Sequence, residues 1–196
     1  MASMKAKKAS KVMATVVVLL VLLVIVSLLD LAWAARMLSA REVIDVLLSR
    51  GTWANNLIVK DNAVRIVIGL FVGAGLAVAG AVMQAIFRNP MASPYILGLS
   101  SGASLGAAIG ILFTIPFIPS IITTPLLAFV FCFGTMFLVY SLSRTGGVTH
   151  TETLLLTGIA ISAMMSAVVS FLTFIAGDKL EGIVFWSMGS LSNATW

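Results

Sequence analysis

Apolar residues dominate five stretches of the chain, at about 12–29, 64–87, 95–115, 122–142 and 154–176, and a sixth, partial one runs from 183 to 196. At the helical rise each of the five gives about 27–36 Å of helix, which matches the hydrocarbon core of a bilayer. The intervening segments carry the charges, prolines and turn residues. The pattern predicts an all-α, polytopic transmembrane helix bundle, with 1–196 as one transmembrane domain. Lys5, Lys7, Lys8 and Lys11 precede the first stretch in the manner of a secretory signal. That stretch is long for a signal core, and Ala32-Trp33-Ala34 is a poor cleavage site, so it reads as an uncleaved first helix.

The segment from Asp30 to Asp61 has structure of its own. Ser39-Ala40-Arg41-Glu42 has capping-box spacing. Val43, Ile44, Leu47 and Leu48 then share one face, and Gly51 offers a stop. This predicts a short amphipathic helix packed on its own bundle.

Composition narrows the class. The chain is 60% hydrophobic and 10% charged, too few charges to cover a soluble core of this size. Twelve Lys/Arg against seven Asp/Glu suit cytoplasmic positive charge, and the basic residues form no stripe for nucleic acid. Cys132 and His150 are each the single residue of their type. A disulfide framework or a multi-histidine metal site within the chain is therefore excluded, and no cofactor is expected. The N-terminal lysines, Arg88 and Arg144 fall on one side if the helices alternate, and the loop from 30 to 61, with balanced charge, falls on the other. The N-terminus is expected to be cytoplasmic.

Two stripes of small residues have strict spacing of four. One is Gly69, Gly73, Ala77, Ala81 and Ala85; the other is Gly98, Gly102, Gly106 and Gly110. Such spacing keeps the small residues along one side of a helix and lets backbones approach closely. They read as packing faces, with pathway lining as the alternative. Between the stripes lies Gln84-Ala85-Ile86-Phe87-Arg88-Asn89-Pro90-Met91-Ala92-Ser93-Pro94. Asn89-Pro90 predicts a helix end and Ser93-Pro94 a helix start. Gln84 needs polar partners and is expected to face protein or water. Arg88 sits where it can snorkel to headgroups.

The string from Gly73 to Gly106 resembles the FecCD-type permeases, the membrane subunits of prokaryotic ABC importers for iron–siderophores, haem and cobalamin. It carries Met83-Gln84, Asn89-Pro90-Met91-Ala92-Ser93-Pro94 and Leu97-Gly98-Leu99-Ser100-Ser101-Gly102-Ala103, with Met91 in place of a usual leucine. Leu154 to Ser162 and the Trp186-Ser187-Met188-Gly189-Ser190-Leu191 block, followed by Trp196, are similar to later family segments.

The resemblance implies a ten-helix subunit that pairs with a second permease subunit, two ABC ATPase subunits and an extracytoplasmic substrate-binding protein. It implies alternating access for a metal chelate, most readily an iron–siderophore, with no covalent chemistry in the membrane subunit. It assigns the cytoplasmic gate to Asn89, Pro90 and Met91, with Thr151 as a second gate element. His150 and Glu152 depart from the family's small hydroxyl or basic residues, and His150 alone reads as a solvated loop histidine. Arg65, with Lys60, matches in part a basic stretch that docks the binding protein; Asn62-Ala63-Val64 lacks the family's first arginine and proline. Trp186 and Trp196 suit an interfacial belt.

A secondary transporter or channel is the alternative, but the spans carry no charge near their centres. A membrane enzyme finds no base–nucleophile set among Ser100, Ser101, Thr157 and Ser162. No phosphate-binding Gly-rich lysine loop is present, so an ATPase is a separate protein. The chain ends before the coupling segment that the resemblance places after the sixth helix. A truncated, fragmentary or split permease that does not couple ATP hydrolysis alone is the expectation.

Overall fold

The computed structural model describes residues 2–34, 40–48, 50–90, 92–113, 118–191 and 194. Among these the chain is nearly all helix: α1 (Ala2–Ala34), α2 (Ala40–Leu47), α3 (Trp53–Phe87), α4 (Leu99–Leu112), α5 (Ser120–Ser143), α6 (Thr151–Ile175) and α7 (Leu180–Met188). Short 3₁₀ turns occupy Pro94–Leu97 and Gly177–Lys179, and two-residue strands β1 (Arg144–Thr145) and β2 (Val148–Thr149) form a small antiparallel hairpin. The all-α expectation is met.

Four of these helices are long and apolar enough to cross a membrane, at Ala9–Leu31, Asn55–Phe87, Ile121–Ser143 and Thr151–Ile175. The sequence pattern predicts five. The stretch at 95–115 is broken: Pro94–Leu97 is a 3₁₀ turn, Gly98 takes φ 76°, and α4 ends where Phe113 turns extended. Fourteen residues reach about 21 Å, so α4 by itself is shorter than the roughly 30 Å core, and the 3₁₀ turn before it adds about 8 Å. Hydropathy counts apolar residues and does not register a left-handed backbone at one glycine.

α3 also begins eleven residues ahead of its apolar run, at Trp53 rather than Val64. Asn55, Asn56, Lys60, Asp61 and Asn62 suit a helix outside lipid, where its backbone bonds need no apolar cover. The amphipathic helix expected after residue 39 is α2, but its expected cap, Ser39, lies outside the described residues.

The chain forms two compact units, Met1–Val72 with Leu191–Trp196, and Gly73–Ser190. In the first, Leu31, Val43 and Val59 make a buried apolar cluster, with Val46 and Ile66 packed against it. One face of α2 thus joins α1 to α3. In the second, α4 is the central helix, with Ala107 and Ala108 fully buried. Ala108, Ala176 and Ile183 make a cluster at its C-terminal end, flanked by Ile111, Leu112 and Leu172.

Buried hydroxyls and amides are satisfied locally. Asn62 Nδ2 donates to Ile58 O at 2.9 Å, Ser143 Oγ to Tyr140 O at 2.9 Å, and Ser162 Oγ to Gly158 O at 2.7 Å. Bonding the carbonyl three or four residues back is how polar side chains avoid an unpaired group in an apolar setting.

Candidate functional site

The turn between α3 and α4 is the most elaborately built part of the second unit. α3 ends at Phe87, and Arg88 takes φ 47°, a left-handed conformation that costs a non-glycine residue about 1–2 kcal/mol. Arg88 N donates to Ala85 O at 3.4 Å and Asn89 N to Gln84 O at 3.3 Å, which closes the helix end in the Schellman manner. Ala92 N then donates to Asn89 O at 3.1 Å, so the backbone of Asn89 ties both sides of the turn. Ser93 is extended, Pro94 opens the 3₁₀ turn as the sequence predicts, and Gly98 N donates to Tyr95 O at 3.0 Å.

This turn rests on α6. A Cβ at Gly158 would run into the carbonyl oxygen of Ile96 and lie 3.1 Å from Leu97 Cα. A Cβ at Gly98 would lie 3.0 Å from Ser162 Oγ and 3.4 Å from Thr135 Cγ2. Three helices therefore meet at Gly98, with only hydrogen-sized room between them. Thr151 is exposed at the first turn of α6, two turns before Gly158, so it lies toward the same end of α6 as the 3₁₀ turn. His150 precedes it as N-cap without a side-chain capping bond.

The β1–β2 hairpin sits at this end too. Gly146 and Gly147 take φ 60° and 86°, the left-handed pair that a two-residue hairpin loop needs. Arg144 Nε donates to Gly147 O at 3.3 Å. Apolar length does not reveal this hairpin, although Thr145-Gly146-Gly147-Val148 is its signature.

The predicted site residues fare differently. Asn89 is half-buried and Pro90 exposed; Met91 lies outside the described residues. Gln84 is exposed within this chain. Gly102, Gly106 and Gly110 are buried against α5: a Cβ would come 2.7 Å from Thr135 Cβ, 2.7 Å from the Leu127 carbonyl carbon and 3.0 Å from Thr124 Cα respectively. On α3, by contrast, nothing lies within 4 Å of a Cβ at Gly73, and Gly69 has ordinary contact with Leu191 Cδ1 at 3.7 Å. Lys60 and Arg65 are both exposed, and five residues apart they point to different sides of α3. No group of three or more His, Cys, Asp or Glu among the described residues is arranged to hold a metal ion.

The sequence matches the FecCD transport family over residues 19–196. The chain belongs to the FecCD transport family. Among its relatives, the cobalamin import system permease protein BtuC of Halobacterium salinarum is 44% identical over 132 residues, 67% of this chain and 35% of BtuC. The molybdate import system permease protein MolB of Haemophilus influenzae is 39% identical over 134 residues, 67% of this chain and 39% of MolB. The hemin transport system permease protein HmuU of Yersinia pestis is 38% identical over 135 residues, 67% of this chain and 40% of HmuU. The FecCD chain thus spans about 35–40% of the length of these curated relatives. A solved metal-chelate type ABC transporter in an inward-facing conformation is similar in structure, with TM-score 0.61 and 33% identity over 87% of this chain and 53% of that one. With four helices of membrane-crossing length, the FecCD chain is a multi-pass membrane protein.

Proposed function

We propose that this chain is part of the permease subunit of a prokaryotic ABC importer for a metal chelate, most readily an iron–siderophore. The carrying observation is the family match over residues 19–196, which includes the turn at 88–98. Relatives named for cobalamin, molybdate, haemin and ferric dicitrate import support the class of cargo, a metal-bearing complex or oxyanion. The chain would do no covalent chemistry; separate ATPase subunits would supply the energy.

In this reading the N-terminus is cytoplasmic, and Asn89, Pro90 and Met91, with Thr151, form the gate on that side. Two features support the assignment. The turn is held by backbone bonds on both flanks of Asn89, and Gly98 and Gly158 leave it no slack against α6. A gate needs such a defined corner. The open face of α3 at Gly73 is a packing surface for the rest of the permease or for its second subunit. Arg65, with Lys60, is the docking cation for the extracytoplasmic binding protein.

The test is uptake of radiolabelled ferric siderophore in a strain deleted for its own permease. The chain is co-expressed with the remaining permease segment, an ABC ATPase and a binding protein. Uptake that requires an intact ATPase and collapses on Pro90→Leu is expected. Uptake that persists with an inactive ATPase would point to a secondary transporter and sink the proposal.

A further inference from the structure

The segment that follows α6 is short and bracketed by two glycines. Gly177 takes φ 53° and Gly189 φ 74°, and between them lie the end of a 3₁₀ turn and the nine residues of α7. Nothing lies within 4 Å of a Cβ at either glycine, so neither is there to make room. What each supplies is backbone freedom at the end of a helical element. At Gly189 the pair φ 74°, ψ 150° falls in a region essentially closed to residues with a side chain. Gly182, between them, has the other use. A Cβ there would lie 3.4 Å from Ile111 Cγ2, where α7 rests on α4.

Two further contacts hold this segment within the second unit. Ile183 is the buried residue of α7, and it closes over Ala108 and Ala176. The other contact is polar. Lys179 Nζ donates to Leu112 O at 2.9 Å, one of the last carbonyls of α4, which a helix leaves unpaired at its end. Lys179 is exposed, so water competes for its amine. An element with one buried side chain and a solvent-accessible tether opens at low cost. Such openings pivot at a few residues at the ends of elements, often small ones.

We propose that residues 178–188 form a strap that swings as one piece on Gly177 and Gly189, and that the amine of Lys179 on the Leu112 carbonyl is its latch. Closed, the strap covers Ala108 and Ala176 near the ends of α4 and α6. Released, it uncovers them at the end of α6 farthest from the β1–β2 hairpin. The device is a property of this unit's own packing and does not rest on the permease reading.

The test reads the opening through a shielded thiol. The full chain is reconstituted in lipid nanodiscs with Cys132→Ser as background. Ala176→Cys then places a thiol behind Ile183, and N-ethylmaleimide reaches it only when the strap is out. Lys179→Met is expected to raise the labelling rate about fivefold, which corresponds to about 1 kcal/mol. Lys179→Arg, which keeps a donor, should stay near the parent rate. Val139→Cys, buried on α5, should label no faster in Lys179→Met. Hydrogen exchange of the α7 amides should be as slow in Lys179→Met as in the parent, because a strap that swings keeps its helix. Three outcomes would overturn the proposal. An unchanged rate at Ala176→Cys in Lys179→Met means that there is no latch. An equal rise at Val139→Cys means that the whole unit has loosened. Faster exchange of the α7 amides in step with labelling means that α7 unravels. Should Ala176→Cys fail to accumulate, Ile183→Cys carries the thiol on the strap itself and reads the same opening.

Discussion

Lys179 Nζ donates a hydrogen bond to the backbone oxygen of Leu112 at 2.9 Å, across 67 residues of sequence. The bond places a cation on the last turn of α4, where the helix leaves its final carbonyls unpaired and its dipole is negative. It also anchors the α6–α7 corner beside the Ala108–Ala176–Ile183 cluster. Replacing Lys179 by Met should lower stability in detergent by about 1 kcal/mol, whereas Lys179→Arg should retain most of it. Chemical denaturation followed by tryptophan fluorescence measures both, and equal loss in the two variants would show that charge is not what the site uses.

The close approach of α4 to α5 predicts a sharp contrast between two glycines. At Gly106 a Cβ would meet the Leu127 carbonyl carbon at 2.7 Å and Phe131 Cβ at 2.8 Å. Gly106→Ala should therefore cost about 1–3 kcal/mol by forcing the helices apart. Gly73→Ala meets nothing within 4 Å and should be neutral or slightly stabilising within this chain. Thermal unfolding of the two variants side by side makes the comparison.

At Gly98 two costs can be separated. Alanine there carries the penalty of a left-handed φ of 76° and of crowding against Ser162 Oγ at 3.0 Å. The double variant Gly98→Ala with Ser162→Ala should recover the crowding part and leave the backbone part, about 1–2 kcal/mol. Full recovery in a double-mutant cycle would mean that the backbone is not strained.

Arg88 is the inverse case. A non-glycine residue already holds φ 47°, so Arg88→Gly should stabilise the turn by up to about 1 kcal/mol. Arg88→Ala keeps the backbone cost and should not. The difference between the two variants isolates the backbone contribution from loss of the guanidinium.

The order of spans predicts sidedness. α5 and α6 are each long and apolar enough to cross, so the hairpin at 146–147 is expected on one side and Gly177 on the other. With Cys132 replaced by Ser, an impermeant maleimide should label Gly146→Cys from one face of sealed vesicles and Gly177→Cys from the opposite face. Labelling of both from the same face would mean that α6 does not span.

Much of the site is legible in the sequence because its signals are local. Asn89-Pro90 ends a helix and Ser93-Pro94 starts a turn through constraints on neighbouring backbone angles. The glycine pair at 146–147 is equally local, but it marks a hairpin that apolar length does not register. What is not legible depends on distance in space. Nothing near residue 179 announces that its amine reaches Leu112.

By itself the sequence determined that the chain is a bundle of apolar helices and which family it belongs to. Hydrophobic length and motif order are properties of the chain read in one dimension. The tertiary structure decided what the two small-residue stripes do. Their spacing is identical, yet Gly102, Gly106 and Gly110 lie under α5, while Gly73 on α3 faces open space. A residue without a side chain permits close approach but does not supply the neighbour, and only the packing of α5 does that.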